Sequence, residues 1–567
     1  MNATQLLAHF DRLSEAPGAV PRLRRFILDL AVRGKLVVQD AGDEPAVELL
    51  KRIQSPKGKG ISSKKSTKHA FVPPSDIDEP FAIPVSWAWT HLTELGRTQT
   101  GATPSKSAGE VYGKHIPFVK PGDLLPSHVD YSGEGLSELG LKDAGRFAPA
   151  GSVLMVCIGT IGKCQMVDRD CSFNQQINSL SPNEGLESKY LLAAFMSEFF
   201  QQSAWAASAR TTIAILNKGK WEQLPIPLPP LAEQYRIVAK VDELMALCDQ
   251  LEAAQQERER RRDRLAAASL QRLNQPAADT TPEAQREHAR FHLHHLPRLT
   301  TRPEHIKAMR QTFLNLAVRG KLVEQDSNDE PAIELLRKIR LEKSKRQQKA
   351  GRKAEVKLPH IDWRMAPYAL PSGWTWARFP ELGIFGRGKS KHRPRNDVTL
   401  FAGGTHLLVQ TGDVARSKGV IKTFTSKYND VGLAQSMKWP TGTLCITIAA
   451  NIADSGILSF DACFPDSVVG FSASPLFDSA RYFEYFVRTA KVNLLEFAPA
   501  TAQKNINLEI LNAVLIPLPP LAEQYRIVAR VDSLMALCDQ LEAQLTTTQT
   551  DSRRLLEAVL DAALIPV

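Results

Sequence analysis

The sequence lacks every feature of a membrane or secreted protein. No run of about 18 apolar residues occurs, which excludes a transmembrane helix. The N-terminal segment has neither the basic start nor the apolar stretch of a signal peptide, so we expect a cytoplasmic protein. Cysteines are few, and Cys157, Cys164 and Cys171 stand seven apart rather than in the CxxC pairs of a structural zinc site. We therefore predict buried, reduced thiols.

Catalytic motifs are also scarce. No [DN]PP[YF] methyltransferase motif, PD…(D/E)xK nuclease motif, GxSxG or HExxH occurs. Residues 383–390 match the P-loop pattern, but Pro394 falls in the second turn of the helix that such a loop must open, so we reject nucleotide binding there. His292, His294 and His295 could hold a metal, although a solvated linker is the favoured interpretation. These absences favour a binding subunit, with a methyltransferase or nuclease of unrecognised motif as the alternative.

The chain does contain a long internal repeat. Ile226–Ala253 returns as Ile516–Ala543 with changes only at Lys240 and Glu243. Upstream of each copy, the LAVRGKLV segment that begins at Leu30 returns at Leu316. The inserts between these echoes are barely alike. Each pair of repeated segments, the LAVRGKLV segment and the later PLPPLAEQYRIV segment, forms one frame around an insert. Two nearly identical frames therefore hold two divergent modules, as expected of one protein that recognises two different targets.

The repeats predict a mixed α+β fold, in which two α/β domains are joined by long antiparallel coiled-coil helices in a tandem pseudo-twofold repeat. We expect an N-terminal helical region with a basic linker, a first recognition domain, a central region, a second recognition domain and a C-terminal helix. Their predicted ranges are 1–80, 81–228, 229–367, 368–518 and 519–567.

Two long helices should begin at about Leu231 and Leu521, because proline pairs precede both positions. Apolar residues then alternate spacings of four and three, which is typical of a coiled-coil seam. The seam positions are Ile237, Val241, Leu244, Leu251, Ile527, Val531, Leu534 and Leu541, with Cys248 and Cys538. If the seams pair antiparallel, helices of about 65 Å would hold the two inserts apart.

The net charge is +10 and the isoelectric point about 9.1, which indicates a polyanionic partner. Residues 51–68 contain seven Lys or Arg and no acid, and residues 337–357 contain ten against two acids. Both runs follow the LAVRGKL echo. Direct phosphate contact and a solvated linker are equally good interpretations of them.

The doubled PLPPLAEQYRIV segment, each copy after a variable domain, resembles the specificity (S) subunit of type I restriction-modification enzymes. GATPSK (101–106), IPFVKPGDL (116–124) and FNQQIN (173–178) support the resemblance in the first insert, and VQTGDV (409–414) supports it in the second. The second insert departs from the pattern where GRGKSKHRPR (386–395) and CFPDSVVG (463–470) replace GATPSK and FNQQIN.

The resemblance implies two target-recognition domains that each read one half of a bipartite site in double-stranded DNA. It also implies no cofactor on this chain, two modification subunits that bind S-adenosylmethionine, restriction/translocase subunits that bind ATP and magnesium, and no membrane partner. Polar and basic side chains in the loops are the candidate DNA contacts, since these residue types bind base edges and phosphates. They are Thr103, Ser105, Lys106, Lys120, Asn174, Gln175, Arg210, Thr211, Lys218, Arg387, Lys389, Lys391, Arg393, Gln503, Lys504 and Asn505. Residues 174–176 could equally cap a strand edge.

Overall fold

The structure is a computed structural model that describes residues 15–54, 79–105, 110–143, 145–210, 213–276, 280–349, 366–392, 394–449, 453–496 and 508–564. The chain divides into two compact units. Unit 1 comprises residues 1–258 and 548–567, and unit 2 comprises residues 259–547. The predicted helix at the extreme N-terminus lies outside the described residues.

Unit 1 contains helices from the first frame and a recognition domain of short strands. Its helices are α1 (Ala19–Val32), α2 (Ala46–Gln54), α3 (Leu92–Leu95), α4 (Glu138–Asp143), α5 (Ser188–Met196), α6 (Glu198–Ala207), α7 (Lys218–Glu222) and the start of α8 (Leu231–Asn274). Its strands are β1 (Ala88–His91), β2 (Gly96–Thr100), β3 (Tyr112–Val119), β4 (Gly135–Leu136), β5 (Val153–Val156), β6 (Cys164–Met166), β7 (Ser172–Phe173), β8 (Ile177–Pro182), β9 (Ala209–Arg210), β10 (Ala214–Ile215) and β11 (Pro225–Leu228).

Unit 2 repeats this order after the remainder of α8. Its helices are α9 (Pro282–His294), α10 (Leu296–Leu299), α11 (Pro303–Val318), α12 (Ala332–Lys349), α13 (Phe379–Leu382), α14 (Thr411–Arg416), α15 (Asp430–Ala434), α16 (Arg481–Glu496), α17 (Leu508–Ala513) and most of α18 (Leu521–Leu564), with a 3₁₀ turn at Val398–Leu400. Its strands are β12 (Thr375–Ala377), β13 (Gly383–Arg387), β14 (His406–Leu408), β15 (Gly419–Ile421), β16 (Ser426–Tyr428), β17 (Lys438–Trp439), β18 (Leu444–Thr447), β19 (Ser455–Leu458), β20 (Ala462–Cys463), β21 (Val468–Ala473) and β22 (Ile516–Leu518).

The two recognition domains share a sheet plan. The first has sheets of order β2-β8-β5-β6 and β4-β3-β7, and the second has sheets of order β13-β21-β18-β19-β15 and β16-β14-β20-β17. Strands β5 and β18 are central and fully buried, which explains their unbroken apolar sequences. In each domain the first strand pairs antiparallel with the last, β1 with β11 and β12 with β22. Each domain therefore begins and ends at one place on its frame.

Tight turns explain why the LAVRGKL echo contains glycine. Gly34 follows α1 with a φ of 65°, and Gly320 follows α11 with a φ of 66°. A Cβ at Gly34 would lie 2.4 Å from Cγ of Pro84, and a Cβ at Gly320 would lie 2.4 Å from Cγ of Pro371. Only glycine satisfies both the left-handed backbone and this close approach.

Several predictions of local structure are confirmed. Helices α8 and α18 begin at Leu231 and Leu521, as predicted, and continue to Asn274 and Leu564. Six of the seven cysteines are buried and all seven are unpaired. No helix in the described ranges combines the length and apolarity needed to cross a membrane.

Other predictions are wrong. The Asp-Glu-Pro segments at 43–45 and 329–331 predict that each aspartate caps the helix that follows. Asp43 instead pairs with Arg236 of α8 at 2.6 Å, and Asp329 pairs with Arg526 of α18 at 2.7 Å. The histidine-rich segment is not a solvated linker, because His292 lies on α9 with its ring buried and its Nδ1 2.9 Å from Oγ of Ser269. Part of the second basic run is helical, since α12 continues to Lys349.

The seams of the long helices are covered within each unit. Ile237, Val241 and Cys248 are buried, and Leu244 and Leu251 half-buried, in one cluster with Leu23, Ile27 and Leu28 of α1. On α18, Ile527 and Val531 are buried in the core of unit 2, Leu534 is half-buried, and Cys538 and Leu541 pack with Ile306 and Met309 of α11. The sequence interpretation, in which the two seams cover each other directly, therefore needs a correction: a frame helix covers the start of each long helix.

Helix α1 contacts both long helices inside unit 1. Arg24 donates to Asp249 of α8 at 2.5 Å, while Arg22 pairs with Glu557 of α18 at 2.5 Å. Leu556 and Val559 of α18 share a cluster with Ala19 of α1. The start of α8 and the end of α18 thus lie against one helix.

Candidate nucleic-acid interface

Four segments of the first recognition domain meet at one edge, which we call interface 1 and define as residues 101–105, 157–162, 173–177 and 209–216 without 211 and 212. Backbone hydrogen bonds join them. Gly101 N donates to Ile177 O at 2.9 Å, and Cys157 N donates to Gln176 O at 2.8 Å. Gly159 N donates to Ala214 O at 3.0 Å. Four segments that the sequence separates by up to about a hundred residues therefore form one surface.

Thr103 and Gln175 are the candidate contacts that this edge brings together. Both side chains are exposed, and the Thr103 hydroxyl donates to Oε1 of Gln175. An exposed glutamine amide presents a donor and an acceptor, which is the pair that adenine offers in the major groove. Ser105 is exposed on the same loop. Thr103 and Gln175 therefore place hydrogen-bonding groups together on an exposed edge.

Asn174 has a structural position instead. Its side chain is buried, its Oδ1 accepts from Gln176 N at 3.1 Å, and its Nδ2 donates to Oε1 of Gln176 at 3.1 Å. A Cβ at Gly101 would lie 2.0 Å from the carbonyl oxygen of Asn174. The glycine of the GATPS loop is thus fixed by the close approach of the Asn174 turn.

This close approach gives a prediction. Gly101→Ala should displace the loop from the Asn174 turn and separate Thr103 from Gln175, so discrimination of the first half-site should fall at least tenfold, or about 1.4 kcal/mol. Binding to the same duplex and to a duplex with a scrambled first half-site measures the effect. Gly133→Ala is the matched control, because nothing lies within 4 Å of a Cβ there. Unchanged discrimination in a folded Gly101→Ala protein would contradict this assignment.

The remaining candidates of the first domain are paired or outside the described residues. The Lys120 ammonium is 2.5 Å from Oε2 of Glu134, and the Lys218 ammonium pairs with Glu222 on the same helix. A DNA contact by either lysine would have to break an ion pair. Arg210 lies in β9, and nothing is described of its side chain. Lys106 and Thr211 lie outside the described residues.

The second domain builds the same edge from different residues, which we call interface 2 and define as residues 387–391 and 464–468. Gly388 N donates to Val468 O at 2.9 Å, and a Cβ at Gly388 would lie 2.2 Å from Phe464 O. Ile448 N donates to Ser467 O at 3.0 Å, as Cys157 does to Gln176. Residues 464–467 therefore take the place of residues 173–176, although the two sequences are unlike.

Interface 2 carries basic residues around one acid. Nε of Arg387 donates to the carbonyl oxygen of Asp466 at 2.9 Å, and Arg395 pairs with the Asp466 carboxylate at 2.6 Å. Lys389 and Lys391 are exposed. Arg393, Gln503, Lys504 and Asn505 lie outside the described residues. This surface is suited to an anionic ligand.

The P-loop match lies within this edge, and its rejection is confirmed by the backbone. Gly383–Arg387 forms β13, antiparallel to β21, and the next helical turn in the described residues is at Val398–Leu400. A phosphate-binding loop would instead open a helix directly after Ser390.

Each recognition domain is fastened to its long helix by one duplicated network. Nε1 of Trp87 donates to Oε2 of Glu233 at 2.9 Å, and Gln39 donates to Oε1 of the same carboxylate at 2.6 Å. The Tyr190 hydroxyl donates to Pro227 O at 2.5 Å. Burial raises the pKa of Glu233 above its usual value. Loss of Trp87 or Gln39 would leave one oxygen of the buried Glu233 carboxylate without its donor, at a cost of about 1–3 kcal/mol.

Unit 2 repeats these bonds. Trp374 donates to Glu523 at 2.9 Å, Gln325 donates to Glu523 at 3.2 Å, and Tyr482 donates to Pro517 O at 2.5 Å. The sequence signal for this network was the identity of the two frames. Periodicity could not identify the partners, because the residues that bond lie between 35 and 198 positions apart in the sequence.

Comparison with known proteins agrees with this architecture. A family model described as the type I restriction modification DNA specificity domain matches residues 84–259 and 393–548, so it matches once in each frame. The chain belongs to this family. It is 30% identical over 572 residues to the type I restriction enzyme EcoAI specificity subunit of Escherichia coli, covering 96% of this chain and 94% of that protein. It is 27% identical to the EcoEI specificity subunit of Escherichia coli, with the same coverage.

Among solved structures, this chain is similar to the HsdS subunit from Thermoanaerobacter tengcongensis, with 19% sequence identity and a TM-score of 0.45. The match covers 86% of this chain and 98% of that subunit. The resemblance found in the sequence motifs is confirmed by the family match. As a specificity subunit, the chain confers DNA specificity and is not the catalytic component of its system. Nothing supports the alternative of a methyltransferase or nuclease within this chain.

Proposed function

We propose that this specificity subunit reads a bipartite site in double-stranded DNA, with interface 1 on one half-site and interface 2 on the other. The observation that carries the proposal is the equivalence of the two edges. The same backbone bonds place Gln175 in one domain and Asp466 in the other at corresponding positions of the edge. One scaffold with different side chains is what two different half-sites require.

We further propose that each frame docks one modification subunit. Tyr235 and its mate Tyr525 are 54% and 43% exposed, and Leu247 and its mate Leu537 are 51% and 39% exposed. Large apolar side chains kept exposed in both copies suit a partner that binds twice. S-adenosylmethionine would belong to those modification subunits, and ATP and magnesium to restriction/translocase subunits. This chain would hold none of them.

Methyl transfer from labelled S-adenosylmethionine tests the proposal. The purified chain alone should transfer no label to DNA, because it supplies recognition only. Its modification subunits without it should show no sequence preference, and the reconstituted complex should modify one bipartite sequence. Sequence-restricted transfer by the modification subunits without this chain would refute the proposed role.

A further inference from the structure

Unit 2 contains a cavity of about 270 Å³ between its recognition domain and its frame helices. Five cationic side chains line it, against the single carboxylate of Asp454. They are Lys307 and Arg310 of α11, Lys418 before β15, and Arg488 and Lys491 of α16. The excess of positive charge suits an anionic ligand.

Two of these cations have no ion pair among the described residues. Arg310 pairs with Glu542 of α18 at 2.8 Å, Lys491 with Asp454 at 2.7 Å, and Arg488 with Glu484 at 3.5 Å. Lys307 and Lys418 are exposed and have no acid within ion-pair distance in the part of the chain that is described. Their ammonium groups are available to a ligand.

The backbone is strained at the same place. Lys418 and Ala453 have φ of 48° and 59°, and no other described non-glycine residue has a positive φ. Both line the cavity. Such conformations are uncommon for non-glycine residues and cluster at ligand sites. In unit 1, Gly162 occupies the position of Ala453, since each donates its N–H to the end of the preceding strand, at Val156 O and Thr447 O.

The first unit has an equivalent cavity with a smaller excess of positive charge, since two cations and one acid line it. That cavity, of about 400 Å³, is lined by Arg25, Lys163, Met196 and Glu198 among others. Tyr190 and Tyr482 make matching bonds, so Met196 stands six residues on, where unit 2 has Arg488. The same distance along the chain from these tyrosines makes Phe199 of unit 1 the counterpart of Lys491 in unit 2. Arg24 matches Arg310 in its pairing with the long helix, and three residues earlier Pro21 stands opposite Lys307.

Backbone hydrogen bonds connect the cavity to interface 2. Ile448 donates to Ser467 O in interface 2, and the preceding residue, Thr447, donates to Asp454 O at 3.0 Å. Asp454 lines the cavity together with Ala453. DNA that contacts interface 2 would therefore pass within reach of the cavity. In DNA complexes, lysines that contact phosphate contribute affinity without selecting bases.

We propose that this cavity binds a backbone phosphate of the DNA beside the second half-site, through Lys307 and Lys418. The inference rests on the proposed function, because it requires that interface 2 faces DNA. Only the second unit provides this contact. The affinity for the second half-site would therefore fall more steeply with salt concentration than the affinity for the first.

The test compares the full chain, assembled with its modification subunits, with the Lys307→Gln/Lys418→Gln variant on a duplex that carries the mapped site. We expect binding to weaken roughly tenfold, as for loss of a charge-assisted hydrogen bond. The slope of log K against log salt should fall in magnitude by about 0.9 for one lost phosphate contact. The preferred sequence should stay the same. Lys240→Gln is the control, because Lys240 pairs with Glu243 on the surface of α8.

Neutral methylphosphonate linkages locate the contact. One substituted position beside the second half-site should weaken the wild-type complex and leave the variant unaffected. Equal affinity and slope in variant and control would overturn the proposal. It would also be wrong if inorganic phosphate raised the melting temperature of the wild-type chain only, with DNA affinity unchanged, because the cavity would then hold a free anion. Failure of the proposed function is a separate outcome, in which the wild-type complex does not prefer its site over random DNA.

Discussion

A chain with two copies of its second recognition domain should recognise the second half-site twice. The variant replaces residues 81–228 with residues 368–518 of the same chain. Each domain begins and ends on one pair of antiparallel strands, so the exchange leaves the frame intact. The incoming Trp374 supplies the indole that Glu233 requires, because Trp87 makes the same bond at the original place. Tyr482 arrives together with its own acceptor, Pro517 O, as Tyr190 leaves together with Pro227 O.

Competition binding with duplexes measures this result. The assembled variant should prefer a duplex in which the second half-site replaces the first. We expect this preference to be tenfold to several-hundredfold, because each of a few base contacts contributes about 1–3 kcal/mol. The reverse chimera, with two first domains, is the matched control and should prefer two first half-sites. A chimera that assembles and still prefers the original duplex would show that the recognition domains do not read the half-sites independently.

The second large effect concerns the gap between the half-sites. Helix α8 passes from unit 1 to unit 2 after Arg258, and α18 passes from unit 2 to unit 1 after Thr547. Four residues inserted at both places would add one turn, about 6 Å, to each helix. We expect the unspecified gap to grow by one or two base pairs, while both half-sites keep their sequences.

The position of these insertions follows from the packing. An insertion after Leu251 would shift the α8 seam against α1, because Leu251 packs in the core of unit 1. Four residues inserted after Gly133, where a loop is exposed, serve as the control and should leave the gap unchanged. Binding to a series of duplexes with different gaps decides the matter. An active complex that keeps the original gap after both helix insertions would show that the helices do not set the spacing.

The sequence was sufficient to predict the parts of the fold that depend on local chemistry. Proline pairs predicted the starts of α8 and α18, because proline cannot lie within a helix. Long-range partners were beyond these arguments. A seam such as Ile237–Val241 shows that a helix has an apolar side but not which helix covers it. Asp43, two residues before Pro45, is typical of a helix cap, and only the fold shows that Arg236 lies beside it.

The candidate interface shows the same limit. Residue types in the GATPS and FNQQ segments indicated polar contacts, and the structure brings Thr103 and Gln175 together. Nothing in the residue types distinguished Gln175 from its neighbour Asn174, whose side chain is buried in a turn. The equivalence of residues 464–467 with residues 173–176 depends on backbone bonds, which unlike sequences can share.

As proposed above, this chain directs modification to a bipartite DNA sequence through two separate interfaces. Genome-wide mapping of methylated bases tests it most directly, in a host that expresses the modification subunits with or without this chain. The account predicts one methylated motif that appears only with the chain and consists of two defined half-sites separated by a fixed number of unspecified bases. A motif that persists without the chain, or a single uninterrupted motif, would contradict the account.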